Sequence, residues 1–135
     1  MVDARGMEFL SSRVIVRPRD PARSLAFYRD TLGLAVYREF PGGTVFFTGN
    51  GLLEVSGHGS GADSGGPGES VVLWLQVRDI AATTRELEQR NVDIVRKAQK
   101  EPWGLLEMWI ADPDGLRIVL VEIPSEHPLR KDQRN

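Results

Sequence analysis

Few side chains in this 135-residue sequence are equipped for chemistry. Cysteine is absent, which excludes disulfides, thiolate metal sites and a thiol nucleophile. The two histidines, His58 and His127, fall in a glycine-rich stretch and a polar tail, away from any strand or helix that would aim them as ligands. Ser11, Ser12, Ser56 and Ser60 therefore lack an imidazole at triad-like placement. Gly42-Gly43 and Gly49–Gly51 read as turns and not as phosphate cradles, because no helix follows them at once. What remains is a carboxylate in a strand-like run (Glu54), arginines on the first strand-like run, and the tryptophans Trp74, Trp103 and Trp109. A carboxylate can act as a base or pair with a guanidinium, and indoles offer flat apolar contact. These groups suit recognition of a small organic molecule.

Composition narrows the rest. At 41% hydrophobic and 27% charged residues the chain is ordinary for a globular protein, so it has a core to build. A net charge of −2 gives no electrostatic case for nucleic acid or an anionic membrane. No apolar run is long enough to span a bilayer, and the first residues lack a signal-like apolar region. A cytoplasmic location is the expectation.

Positioning falls to a series of short elements. Residues 13–18 alternate with β-branched side chains and predict a strand. Asp20-Pro21 predicts a capped helix start, Leu25, Phe27, Tyr28 and Leu32 give its apolar stripe, and Gly33 its stop. Strands are expected at Leu34–Glu39, Thr44–Thr48 and Leu52–Ser56, separated by glycine turns. The glycine-rich stretch 57–70 predicts a mobile linker. The same order then recurs: a strand at Val71–Val77, a helix capped by Asp79 and ended at Asn91, and strands at Val92–Val95, Leu105–Ala111 and Arg117–Ile123. Arg85, Glu86, Glu88, Gln89 and Arg90 predict a solvated helix face.

The two halves match residue by residue. Val14 to Asp20 lines up with Leu73 to Asp79, an offset of 59 between the two capping aspartates. Strand, capped helix and three strands, twice, is the pattern of a duplicated βαβββ module. The expected organisation is one domain over 1–135: module one at about 8–56, the linker 57–70, module two at about 71–123 and a polar tail 124–135.

Three stretches carry a family resemblance: RPRDPARSLAFYRDTLGL, GNGLLEVSG and EPWGLLEMWIADPDGLRIVLVEI. They resemble the vicinal-oxygen-chelate (VOC) superfamily of glyoxalases, extradiol dioxygenases and bleomycin-resistance proteins. The resemblance implies an α+β fold: two βαβββ modules forming curled mixed sheets around a cleft, with helices outside. In metal-using members each module supplies two ligands to one divalent ion, from its first and last strands. Matched by position, those four places hold Arg13, Glu54, Val72 and Val119. Arginine and valine offer no donor, so the resemblance implies no metal and no cofactor here. Glu54 then reads either as a base or as the salt-bridge partner of Arg13. A one-residue register slip would bring Glu122 or Glu107 forward instead, at the cost of inverting the strand faces.

By strand parity, the face of the ancestral ligand positions carries Arg13, Ile15 and Arg17, then Leu52, Glu54 and Ser56. From the second module it carries Val72, Trp74, Gln76, Val119 and Val121. Trp103, in Pro102-Trp103-Gly104, either covers a core edge or resembles the tryptophan near the drug groove of bleomycin-resistance proteins. Trp109 is compatible with either face. The expected ligand-binding residues are Arg13, Ile15, Leu52, Glu54, Trp74, Gln76, Trp103, Trp109 and Val119. The expected function is metal-free sequestration of an aromatic or hydrophobic compound such as an antibiotic, by a homodimer. The alternative is a VOC lyase, isomerase or dioxygenase with a reduced metal site or with Glu54 as base. Pro18 resembles the proline some relatives use where an N-terminal arm is exchanged, and reads equally as an edge-strand proline.

Overall fold

The computed structural model describes residues 6–57 and 71–128. His58, the expected linker beyond Gly57, and the tail from residue 129 lie outside them. Among the described residues, eight strands form two four-stranded mixed sheets. The first holds β1 (Val14–Val16), β2 (Val36–Phe40), β3 (Gly43–Thr48) and β4 (Gly51–Ser56), in the order β1-β4-β3-β2. The second holds β5 (Val72–Gln76), β6 (Ile94–Lys100), β7 (Leu106–Ala111) and β8 (Arg117–Glu122), in the order β5-β8-β7-β6. In each sheet the first strand pairs with the last in parallel and the remaining pairs are antiparallel. The repeat seen in the sequence is therefore a repeat of topology.

The capping chemistry falls where the sequence puts it. Asp20 accepts from the Arg23 amide at 3.2 Å and opens α1 (Pro21–Ala26). A π-type turn, Phe27–Thr31, continues α1, and Gly33 ends the segment at φ +70°. Asp79 accepts from the Ala82 amide at 3.1 Å and opens α2 (Ile80–Gln89), which stops at Asn91 with φ +59°. Glu122 caps the same helix, accepting from the Ile80 amide at 2.8 Å. That engagement removes Glu122 from the list of slipped-register ligands. The sixth strand departs most from expectation, running Ile94–Lys100 where Val92–Val95 is the apolar run. Arg96, Lys97, Gln99 and Lys100 hide a strand from hydrophobicity because β6 is an edge, where charged residues are tolerated and protect against pairing with other chains. Pro18 lies past the end of β1 and is fully buried, so it is no edge-strand proline.

One core joins the modules. Tyr28, Phe46, Leu53 and Val55 of the first meet Ile80, Leu87, Met108, Ile110, Ile118 and Leu120 of the second. Tyr28 crosses between them, its hydroxyl donating to Asp112 Oδ2 at 2.7 Å. Arg90 crosses the other way, donating to the Thr31 carbonyl at 2.7 Å. The α+β two-module architecture is thus the one expected, but the curl around a cleft is not: both sheets are open. The reason is how the sheets meet: the shared core covers one face of each, and no strand of one sheet packs broadly on a strand of the other to close them.

Candidate functional site

Register places the remaining faces. In the second sheet, Trp74 aligns with Val119, Val119 with Trp109, and Trp109 with Arg96. The neighbouring row runs Gln76, Val121, Glu107, Gln99. Directly paired residues share a face. Ile118 and Leu120 point into the shared core, so both rows lie on the opposite side. There Val119 and Val121 pack with Leu105, Ile123 and Trp109 in a second, smaller cluster. The face of Trp109, undecided by sequence, is fixed by that contact. Trp74 stands 49% exposed at the edge of this cluster, on the edge strand β5.

The first sheet presents a matching row: Ile15, Glu54, Val45 and Arg38, beside the pair Leu52 and Phe47. Arg13 Nη1 donates to Glu54 Oε1 at 3.0 Å, with the two side chains 33% and 12% exposed. Tyr37 meets Phe47 edge to face, their ring centroids 5.1 Å apart. Exposed Ile15, Tyr37 and Phe47 make this face apolar around one ion pair.

The expected residues are thus gathered in two groups on separate sheets. Arg13, Ile15, Leu52 and Glu54 form one; Trp74, Gln76, Trp109 and Val119 form the other. Trp103 joins the second group from its turn, where its indole N–H donates to Glu107 Oε2 at 2.8 Å and the side chain is 56% exposed. The turn is closed by Gly104 at φ +94° and by His127, whose ring nitrogen bonds the Trp103 carbonyl at 2.9 Å. A groove of about 1120 Å³ lies elsewhere, between Thr31–Leu34, the β3–β4 turn, β5 and α2. Of the expected residues only Trp74 and Gln76 border it.

Arg96, Gln99 and Glu101 escape sequence reasoning, which raised Glu107 only as a slipped-register ligand. Arg96 ion-pairs with Glu101 at 2.9 Å and donates to the Glu107 carbonyl at 3.0 Å. Gln99 donates to the same Glu101 oxygen at 2.9 Å. Glu101 and Glu107 are both buried. The available signal was parity: Glu107 is two residues from Trp109 and so shares its face.

The donor set does not fit a divalent ion. Among the described residues no group of three or more His, Cys, Asp or Glu side chains could hold one. Glu54, the carboxylate retained at a ligand position, already has a guanidinium on it.

A pair of βαβββ modules, each a four-stranded mixed sheet with its helix, defines a class. The profile of the Glyoxalase/Bleomycin resistance protein/Dioxygenase superfamily matches residues 11–120, and the chain belongs to that superfamily. A glyoxalase/bleomycin resistance protein/dioxygenase from Nocardioides is similar over 98% of this chain and 93% of its own, at 16% identity and a TM-score of 0.72. A superfamily member from Sphaerobacter thermophilus is 26% identical over 86% of this chain and 98% of its own, with a TM-score of 0.61. A lactoylglutathione lyase from Agrobacterium tumefaciens is 16% identical over 87% and 96%, with a TM-score of 0.65. No curated protein matches the chain.

Proposed function

We propose that this protein binds a small, flat, largely apolar organic molecule without a metal, and acts by holding it. The observation that carries the reading is the row Trp74, Val119, Trp109, in which valine stands at an ancestral ligand position between two indoles. Aromatic side chains around an apolar floor, with a few polar groups at the margin, are what a small-molecule site requires. Glu54 as a general base is the weaker reading, because its Oε1 is engaged by Arg13.

The site is completed by a second copy of the chain. Ile15 and Phe47 on one open face, and Val72 and Trp74 on the other, are 40% to 49% exposed, and β1 and β5 are both edge strands. Two unpaired edges with apolar faces favour symmetric association. In such a homodimer the Arg13–Glu54 face of one protomer would oppose the tryptophan face of its partner.

Tryptophan fluorescence of the purified protein, titrated with planar aromatic compounds, tests binding, while elemental analysis tests the metal. Saturable quenching without stoichiometric metal supports the proposal. Stoichiometric Zn, Fe, Mn or Ni would overturn it in favour of an isomerase or dioxygenase.

A further inference from the structure

The second face carries a charge imbalance that the apolar reading leaves unexplained. One guanidinium, Arg96, lies among two buried carboxylates, Glu101 and Glu107. Arg96 and Gln99 both donate to Glu101, each at 2.9 Å on one oxygen. Glu107, only 7% exposed, receives a neutral indole N–H on Oε2 and no cation among the described residues. Its Oε1 has no protein donor among them. Nor is that oxygen sealed away, since the one buried side-chain atom without a partner there is Arg96 Nε.

A carboxylate taken this far out of water needs a counter-charge or several hydrogen bonds, and Glu107 has one bond. Its surroundings are suited to a cation. Trp103 is hydrogen-bonded to it, and Trp109 lies two residues along the same strand on the same face. Indole faces attract ammonium and guanidinium groups, most strongly where water is excluded. The Arg96–Glu101 pair keeps the guanidinium from neutralising Glu107 itself.

We propose that Glu107, flanked by Trp103 and Trp109, is the anchor for a protonated amine on the bound molecule. This rests on the small-molecule reading and names its ligand class: a planar apolar body bearing an ammonium group. The ammonium would donate to Glu107 Oε1, and the ring would lie along Trp109 and Val119. No bond is made or broken.

The test compares 2-naphthylmethylamine with 2-naphthylmethanol, of matching shape, by fluorescence titration of the intact protein at neutral pH. The amine should bind about tenfold more tightly, the size expected for one charge-assisted hydrogen bond at a desolvated site. Glu107→Gln keeps an acceptor for the Trp103 N–H, and should bring the two affinities together. Glu88→Gln, on the exposed face of α2, removes the same net charge and should preserve the preference. Should the Glu107 variant not fold, the comparison in the unmodified protein can still refute the anchor. Equal affinity for amine and alcohol overturns the anchor and leaves the binding reading standing. Binding of neither compound overturns both. A preference surviving in Glu107→Gln also overturns the anchor.

Discussion

Replacing Tyr28 with phenylalanine isolates one polar contact between the two modules. Tyr28 is fully buried, and its hydroxyl donates to Asp112 Oδ2 at 2.7 Å. The other oxygen of Asp112 accepts from the Asp114 and Leu116 amides at 2.9 and 2.8 Å, which shapes the turn between β7 and β8. The ring packs on Phe27, with centroids 5.1 Å apart, and on Phe46 at 6.4 Å. Phenylalanine keeps that packing and removes only the hydroxyl. A hydrogen bond to a charged group contributes about 1.5–3 kcal/mol, and its loss here leaves a carboxylate oxygen in a nearly dry site. Tyr28→Phe should therefore lower the free energy of unfolding by about 2 kcal/mol with an unchanged urea slope, measured by circular dichroism. A loss below about 0.5 kcal/mol, the scatter of ordinary surface substitutions, would refute the contact as a junction.

The same bond has a pH signature. Burial, and then the adjacent Asp112 carboxylate, push the Tyr28 phenol well above its ordinary range. The neutral phenol is thus favoured in the folded state. Its contribution is complete below the unfolded value of about 10 and is lost as pH rises beyond that, because the unfolded chain then binds fewer protons. Stability should fall above about pH 10, and less steeply in Tyr28→Phe than in the unmodified protein. Equal slopes would show that Tyr28 is not the group responsible.

Trp103→Ala should weaken a planar ligand by about 2 kcal/mol, roughly thirtyfold, in the fluorescence titration, and unchanged affinity would return Trp103 to a purely structural part. Arg13→Met should cost at most about 1 kcal/mol in urea unfolding, because the guanidinium is one-third exposed and its ion pair is partly screened; a loss near 3 kcal/mol would mean the pair behaves as a buried one. The triple change Arg13→His, Val72→His, Val119→Glu supplies, with Glu54, four zinc donors, but on two separate sheets. Zinc should therefore bind tightly only as light scattering reports a dimer, and stoichiometric tight binding to a monomer would show that the four positions converge within one chain.

The fold was legible because its devices are local. Asp20 and Asp79 cap helices through amides three residues on, and Gly33 and Asn91 stop them with positive φ, all within a few residues of sequence. Strand parity was equally local. Leu53 and Val55 fall in the core and Leu52 and Glu54 on the opposite face, as alternation requires. The curl failed because it depends on how two sheets meet. Nothing in either module's alternation distinguishes an open pair from a closed one, since the same residues face the shared core in both. The strand β6 failed for a related reason. An edge strand has one neighbour and no need of apolar side chains on both faces, so its polar half carries no hydrophobic signal.

The site divides along the same line. Arg13 and Glu54 could be paired from sequence because the family pattern brings those two positions to a common point, and β1 and β4 are neighbours in the parallel register that requires it. Glu107 could not, because its meaning lies in what its neighbours do. A glutamate on an alternating strand is unremarkable until Arg96, eleven residues before it, is seen to be spent on Glu101, and Trp103 is seen to supply the one side-chain donor among the described residues. Those contacts depend on the turn at Gly104 folding Trp103 back over β7, and on irregular pairing between β6 and β7 that brings Arg96 opposite Trp109. Valine at two ligand positions gives the second face no metal donor there, and under the proposal a cationic ligand answers the carboxylate of Glu107 instead.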